Sequence, residues 1–274
     1  MTHAIPLAGV IGDPIAHSRS PSLHGHWLRR YGLPGHYVPL HITPADFEQL
    51  VPLLPRMGFV GVNVTIPHKH TALALAHTVT PLARRIGAAN TLTFTPQGIH
   101  ADNTDAYGFS QNILNAVPSW APQTVAVIGA GGASRAILAA LEDLGVSEIR
   151  LTNRSPARAR DLADHFGHGV TPVPWDNRSD MLDGCDTLIN TTSLGMVNNP
   201  ALSLDLEALP KHAIVNDLVY TPLETDLLAA ARTRGNPVVD GLGMLLHQAA
   251  PGFHRWFGTD PTVDDDLRRA VLAA

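Results

Sequence analysis

Along most of the chain, apolar runs of strand length alternate with longer stretches whose apolar positions recur at helical spacing. That alternation is what parallel βαβ units produce. Leu7 to Gly12 reads as a first strand, and Pro21 to Tyr31 as a helix with Ser20 as N-cap and Pro21 at the first helical position. Tyr37 to Leu40 reads as a short strand, after which Thr43-Pro44-Ala45-Asp46 opens a helix with a similar cap. Val60 to Ile66 is apolar almost throughout, as a strand covered on both faces is. Asn90 to Thr95 and Ile99 to Asn103 flank Pro96-Gln97-Gly98, a turn signal for an antiparallel hairpin, and a helix follows from Thr104 to about Ala116.

Pro118-Ser119-Trp120-Ala121-Pro122 has the composition of a linker, and a fresh βαβ pattern starts at Thr124. A helix is expected over Ala133–Leu144, and strands near Glu148–Thr152, Asp186–Thr191, Ala213–Val219 and Pro237–Asp240. Gly241 to about Phe257 then reads as a helix, with another after Thr262. There is no internal repeat and no low-complexity tract.

At roughly 100–200 residues per domain, 274 residues make two α/β domains. The 45% hydrophobic and 16% charged residues are those of a folded globular chain. The net charge of −5 gives no basic excess for nucleic-acid phosphates, so an anionic small molecule must be held by local groups. The single cysteine, Cys185, forms no internal disulfide and reads as a packed side chain. The N-terminus lacks the charged-then-apolar run of a signal peptide, and no stretch reaches the roughly 18 apolar residues that span a bilayer. The expectation is a cytoplasmic protein with neither membrane nor nucleic-acid partners. Among 15 histidines, the pairs His24/His26 and His68/His70 invite a metal reading. Residues at i and i+2 of a helix point apart, and no cysteine or carboxylate completes a ligand set, so no metal is expected.

Val125-Ala126-Val127-Ile128-Gly129-Ala130-Gly131-Gly132-Ala133 reads as a strand, a glycine turn and a helix start. Glycines there let the backbone approach a pyrophosphate at the helix N-terminus. The match to G-x-G-x-x-[GA] is incomplete, since Ser134 stands at the third position. The next strand ends in Asn153-Arg154-Ser155-Pro156-Ala157-Arg158, where NAD binders usually carry an acid for the ribose hydroxyl. Here stand arginines, which suit a 2′-phosphate and hence NADP(H), or are simply surface cations at a helix start.

Gly61-Val62-Asn63-Val64-Thr65-Ile66-Pro67-His68-Lys69 carries a buried strand into a proline and then a lysine. Asn103-Thr104-Asp105 ends another strand and opens a helix with a carboxylate. Delivered to one place, Lys69 and Asp105 form a proton-transfer pair. Taken singly, one is a solvated lysine and the other a helix-start acid. Ser18 and Ser20, just before a helix, offer hydroxyls and N–H groups for a carboxylate, or serve as turn residue and cap. Asn90 is a turn residue or a donor to a hydroxyl.

These residues resemble the shikimate dehydrogenase family nearly end to end. In order, the resemblance runs through Gly12-Asp13-Pro14-Ile15-Ala16-His17-Ser18-Arg19-Ser20-Pro21, Asn63-Val64-Thr65-Ile66-Pro67-His68-Lys69, Gly87-Ala88-Ala89-Asn90-Thr91 and Asp102-Asn103-Thr104-Asp105. It continues through Gly129–Ala133, Asn153-Arg154-Ser155 and Asp240-Gly241-Leu242-Gly243-Met244-Leu245. The resemblance implies an N-terminal, mostly parallel-sheet substrate domain and a Rossmann-like NADP-binding domain, with a cleft between them. Residues 1–103 with 241–274 would form the first and residues 104–240 the second.

The implied activity is an NADP-dependent oxidoreduction at a CH–OH group. It is the reversible NADPH-dependent reduction of 3-dehydroshikimate to shikimate, on the route to chorismate and aromatic amino acids. The chain would then be a monomer or homodimer. Lys69 and Asp105 would be catalytic; Ser18, Ser20 and Tyr220 would hold the carboxylate; Thr65, Asn90 and Gln248 would bind ring hydroxyls. Gly129, Ala130, Gly131, Gly132, Ala133, Asn153, Arg154, Ser155, Arg158, Leu218, Gly241 and Met244 would contact NADP. Many members carry an acid where His70 stands and Asn where Gly25 stands. The alternatives are a quinate/shikimate dehydrogenase and a non-catalytic NADP-responsive binding protein.

Overall fold

A computed structural model describes residues 5–167 and 169–274. The first four residues, part of the N-terminus without a signal-peptide pattern, lie outside the described residues, as does residue 168. The chain forms two compact units, Met1–Gly108 with Leu246–Ala274, and Phe109–Leu245. Both boundaries fall inside helices, each later than the position expected from the sequence.

In chain order the first unit carries β1 (Leu7–Gly12), α1 (Ser20–Arg30), β2 (His36–His41), α2 (Phe47–Leu50) with a 3-10 continuation over Val51–Met57, β3 (Phe59–Val64), α3 (Lys69–Leu75), β4 (Thr78–Val79), α4 (Pro81–Ile86), β5 (Thr91–Thr95) and β6 (Gly98–Asp102). Helix α5 (Asp105–Ala116) follows. The second unit carries β7 (Thr124–Ile128), α6 (Gly132–Asp143), β8 (Glu148–Thr152), α7 (Pro156–Phe166), β9 (Val170–Val173), β10 (Thr187–Asn190), β11 (Ile214–Asp217), α8 (Asp226–Arg234) and β12 (Val238–Val239). Helices α9 (Leu242–Phe257) and α10 (Asp265–Leu272) close the chain.

The first sheet has the order β2-β1-β3-β5-β6-β4. Strands β1, β2 and β3 pair in parallel, β5 is antiparallel to both β3 and β6, and β4 is parallel to β6. Strands β3 and β6 therefore point the same way. The second sheet, β12-β11-β10-β7-β8-β9, is parallel throughout. Counted from its first strand this is the doubly wound order, whose switch point lies between β7 and β10. The apolar residues of β7, β10 and β11 are buried, as those of a parallel sheet covered on both faces are.

Two caps differ from expectation. Helix α1 starts at Ser20 itself, and its N-cap, Arg19, makes no side-chain cap bond. The Ser20 N–H instead donates to Ser18 Oγ at 3.3 Å. Thr43 caps no helix: α2 starts only at Phe47, its N-cap Asp46 makes no side-chain cap bond, and Thr43 donates its hydroxyl to the Asp46 carboxylate at 2.7 Å.

In the first unit, α1, β2 and α9 meet in an aromatic cluster of His24, Trp27, Tyr37, Phe253 and Trp256. Gly61 in β3 admits Trp256: a Cβ there would lie 1.9 Å from the indole nitrogen. The His24 ring is fully buried and stacks on Tyr37 with centroids 3.9 Å apart and planes 5° from parallel. Burial drives its pKa down to about 3, against an opposing pull from Asn63. A base depressed this far takes up its proton only on unfolding, so its contribution is present above the unfolded pKa and is lost as pH falls toward 3. Asp217, raised by burial to about 6, has the opposite sign and loses stability as pH rises toward that value. His24→Phe keeps the stack and removes the histidine's contribution. Urea unfolding between pH 6 and 4 should show the variant losing stability less steeply than wild type, by about 1.4 kcal/mol per pH unit. Parallel profiles would contradict the neutral, buried imidazole.

Candidate active site

Because β1 and β3 are parallel neighbours, the loops leaving them emerge side by side: Thr65 N donates to Ile11 O at 2.9 Å and Asp13 N to Ile66 O at 3.1 Å. Strand β6 ends at the same edge, and antiparallel β5 begins there. One sheet edge thus gathers Ser18 and Ser20 after β1, Thr65 and Lys69 after β3, Asn90 before β5, and Asp105 after β6. Lys69 opens α3 and Asp105 opens α5.

Lys69 Nζ donates to Asp105 Oδ2 at 2.5 Å, with the two side chains only 18% and 10% exposed. The other carboxylate oxygen accepts Asn90 Nδ2 at 2.8 Å. Asn90 Nδ2 also reaches Gln248 Oε1 of α9 at 3.3 Å, and Asn90 Oδ1 accepts Thr104 N at 2.8 Å. The lysine and aspartate, far apart in sequence, are therefore in contact, and both carboxylate oxygens are held.

The surroundings fix these groups in turn. Asp105 N donates to Asn103 Oδ1 at 3.0 Å, and Asn103 Nδ2 donates to Ala88 O at 2.9 Å. Asp102 accepts from Thr80, from the Asn103 N–H and from Arg255 of α9. Burial alone would raise the Asp102 pKa, but the Thr80 and Arg255 donors outweigh it and hold it below the usual carboxylate value. His68, just ahead of Lys69, is buried against Phe47, with its ring nitrogen 2.7 Å from Ile42 O.

In the second unit, Gly129 turns the chain at φ 111°, and a Cβ on it would sit 2.5 Å from Thr191 Oγ1. Cβ atoms on Gly131 or Gly132 would meet nothing within 4 Å, so the backbone there is open to a ligand. Ser134, the departure from the glycine pattern, is buried and builds the loop. Its hydroxyl donates to Gly129 O at 2.7 Å and accepts the Gly131 N–H at 3.0 Å. Asn153 joins this loop to the end of β8, accepting Ala130 N at 3.2 Å. Arg154 and Arg158 stand exposed beyond it, with no acid at the strand tip. A glycine turn at a helix N-terminus, open backbone and exposed guanidinium groups fit a phosphorylated dinucleotide.

Comparison with known proteins finds matching families along both units. The descriptions "Shikimate dehydrogenase substrate binding domain", "Shikimate / quinate 5-dehydrogenase" and "Shikimate 5'-dehydrogenase C-terminal domain" match residues 10–92, 111–200 and 241–270. Shikimate dehydrogenase (NADP(+)) of Cereibacter sphaeroides is 58% identical over 272 residues, 98% of each chain. The chain belongs to the shikimate dehydrogenase family. Among solved structures, shikimate 5-dehydrogenase of Thermus thermophilus, in complex with NADP(H) and shikimate, superposes with a TM-score of 0.87 at 35% identity, covering 97% of this chain and 98% of that one. Quinate dehydrogenase of Corynebacterium glutamicum, in complex with NAD, gives 0.91 at 31% identity, covering 98% and 99%.

The residues that shikimate dehydrogenase resemblance singles out fall in both units. Ser18, Ser20, Thr65, Lys69, Asn90, Asp105 and Gln248 are in the first, and the glycine loop, Asn153, Arg154, Ser155, Arg158, Leu218, Tyr220, Gly241 and Met244 are in the second. Asp217 pins the segment bearing Leu218 and Tyr220, accepting from Asn190 at 2.9 Å, Val219 N at 3.0 Å and Thr225 at 2.7 Å. Gly241 is required by close approach, since a Cβ would meet Leu218 O at 2.2 Å. His70, where many family members carry an acid, places Nδ1 2.7 Å from Gly87 O and so ties α3 to the turn before Asn90. A Cβ on Gly25 would meet only Arg29, so that departure leaves the helix undisturbed.

Sequence reading missed Tyr37, Asn63, Thr91 and Thr104 as parts of this cluster. A signal existed: Asn63 interrupts an otherwise apolar strand, and a buried amide needs partners. Cys185 is buried, and burial pushes its thiol up to about 11, which leaves it unreactive. Among the described residues, no group of His, Cys, Asp and Glu gathers as a metal site, and no helix is long and apolar enough to cross a membrane.

Proposed function

We propose that this protein catalyses the reversible NADPH-dependent reduction of 3-dehydroshikimate to shikimate in the cytoplasm, with Lys69 and Asp105 as the proton-transfer pair. The observation that carries this reading is the 2.5 Å contact between Lys69 Nζ and Asp105 Oδ2, braced by Asn90 at the sheet edge that also bears Ser18 and Ser20. Bound NADPH supplies the hydride for the C3 carbonyl. As negative charge develops on the carbonyl oxygen, the Lys69 ammonium donates a proton to it. Asp105 holds the ammonium in line and accepts from a neighbouring hydroxyl. In oxidation, the same amine takes the hydroxyl proton.

Ser18 and Ser20, with Tyr220, bind the substrate carboxylate, and Thr65, Asn90 and Gln248 bind its hydroxyls. The Gly129–Ala133 backbone takes the pyrophosphate, Asn153, Ser155, Leu218, Gly241 and Met244 line the cofactor, and Arg154 with Arg158 fork the 2′-phosphate. The Arg154 position, in place of an acid, favours NADP(H) over NAD(H).

The purified protein should reduce NADP⁺ with shikimate, and Lys69→Ala should lower kcat by about 10²–10⁴-fold while NADPH affinity survives. Near-normal turnover in that variant would refute the assignment, and faster turnover of quinate would move the substrate to the quinate branch of the fold. Arg154→Ala should raise KM for NADP⁺ far more than for NAD⁺; equal losses would put the 2′-phosphate elsewhere.

A further inference from the structure

We propose that Tyr37 is a positioning residue for the Lys69–Asp105 pair. It heads a one-way chain of hydrogen bonds through Asn63, Thr91 and Asn90 that ends on the Asp105 carboxylate. The proposal rests on the reading of that pair given above.

The links are short and enclosed. Tyr37 Oη donates to Asn63 Oδ1 at 2.7 Å, and Asn63 Nδ2 donates to Thr91 Oγ1 at 3.2 Å and to the Asn90 main-chain oxygen at 3.3 Å. Thr91 Oγ1 donates to Asn90 Oδ1 at 2.9 Å, and Asn90 Nδ2 donates to Asp105 Oδ1 at 2.8 Å. Tyr37, Asn63, Asn90, Thr91 and Asp105 are all buried.

Main-chain groups fix the direction of the chain. The Thr104 N–H can only donate, and it meets Asn90 Oδ1 at 2.8 Å, so the Asn90 amide must turn its nitrogen toward Asp105. The Asn90 main-chain oxygen can only accept, so the Asn63 amide must turn its nitrogen toward it and its oxygen toward Tyr37. The phenol is then obliged to donate. Burial pushes the Tyr37 pKa well above its ordinary value, against an opposing hydrogen bond from Ser20, so the proton stays in place. His24 clamps the ring by stacking at 3.9 Å. Every link delivers a donor toward the carboxylate, and hydrogen bonds in such a chain strengthen one another. Removing the phenol oxygen strands a buried acceptor on Asn63 and frees its amide to move, which loosens Asn90 and, through it, Asp105.

The test is kcat for shikimate oxidation in Tyr37→Phe and, independently, in Thr91→Val, which cuts the chain at another link. Each should lower kcat about tenfold, the size of one buried hydrogen bond lost in the transition state, with KM for NADP⁺ unchanged. Trp27→Phe, in the same aromatic cluster but with its indole N–H on Thr262 O, should keep wild-type kcat. In an Asp105→Asn background, Tyr37→Phe should cost less than about twofold, since the chain no longer ends on a carboxylate. Wild-type kcat in both single variants, an equal loss in Trp27→Phe, or an undiminished loss in the Asp105→Asn background would overturn the proposal. Should Tyr37→Phe not fold, Thr91→Val decides. Failure of the underlying reading is separately visible, as wild-type kcat in Asp105→Asn alone.

Discussion

A carboxylate with both oxygens occupied, one by an ammonium and one by a buried amide, is the constraint around which the first unit is arranged. Lys69 and Asp105 lie mostly out of water, where desolvation offsets much of their attraction. Such a pair adds little to stability by itself. Its placement needs three strand ends at one sheet edge, and that is what β3 and the β5–β6 hairpin supply, with β1 alongside bringing the two serines. The hairpin matters most. By making β5 antiparallel, it brings Asn90 at the start of one strand beside Asp105 after the end of the next.

The second unit solves a different problem with the same material. Its wholly parallel sheet puts the β7 and β10 loops together at the switch point, where Gly129 packs against Thr191 too closely for any side chain. A serine completes the turn by bonding back to the backbone. The chain departs from the commonest glycine pattern there without losing the open backbone at Gly131 and Gly132, because Ser134 at the third position is buried and bonds inward.

Much of this was legible in the residues. Strand β1 and the β5–β6 hairpin follow from apolar runs and a Pro-Gln-Gly turn, and the parallel second sheet follows from the alternation of strands and helices. The short α3 and α4 and the two-residue β4 were not read, since so few residues carry no periodicity. Ser20 was read as a cap on residue type, whereas Arg19 takes that position and the Ser20 N–H donates to Ser18. The pairing of Lys69 with Asp105 was anticipated from motif order. The amide and hydroxyl chain behind it was not, because long-range partners of Asn63 and Thr91 leave no local trace beyond a polar residue in an apolar strand.

The central claim is that the Asp105 carboxylate, through Lys69, sets the rate of the chemical step. Single-turnover oxidation of shikimate by the preformed Asp105→Asn complex with NADP⁺, followed by nicotinamide absorbance, tests it most directly. The account predicts hydride transfer slowed by about a hundredfold or more, with shikimate and NADP⁺ still binding. Transfer at the wild-type rate from that complex would contradict it.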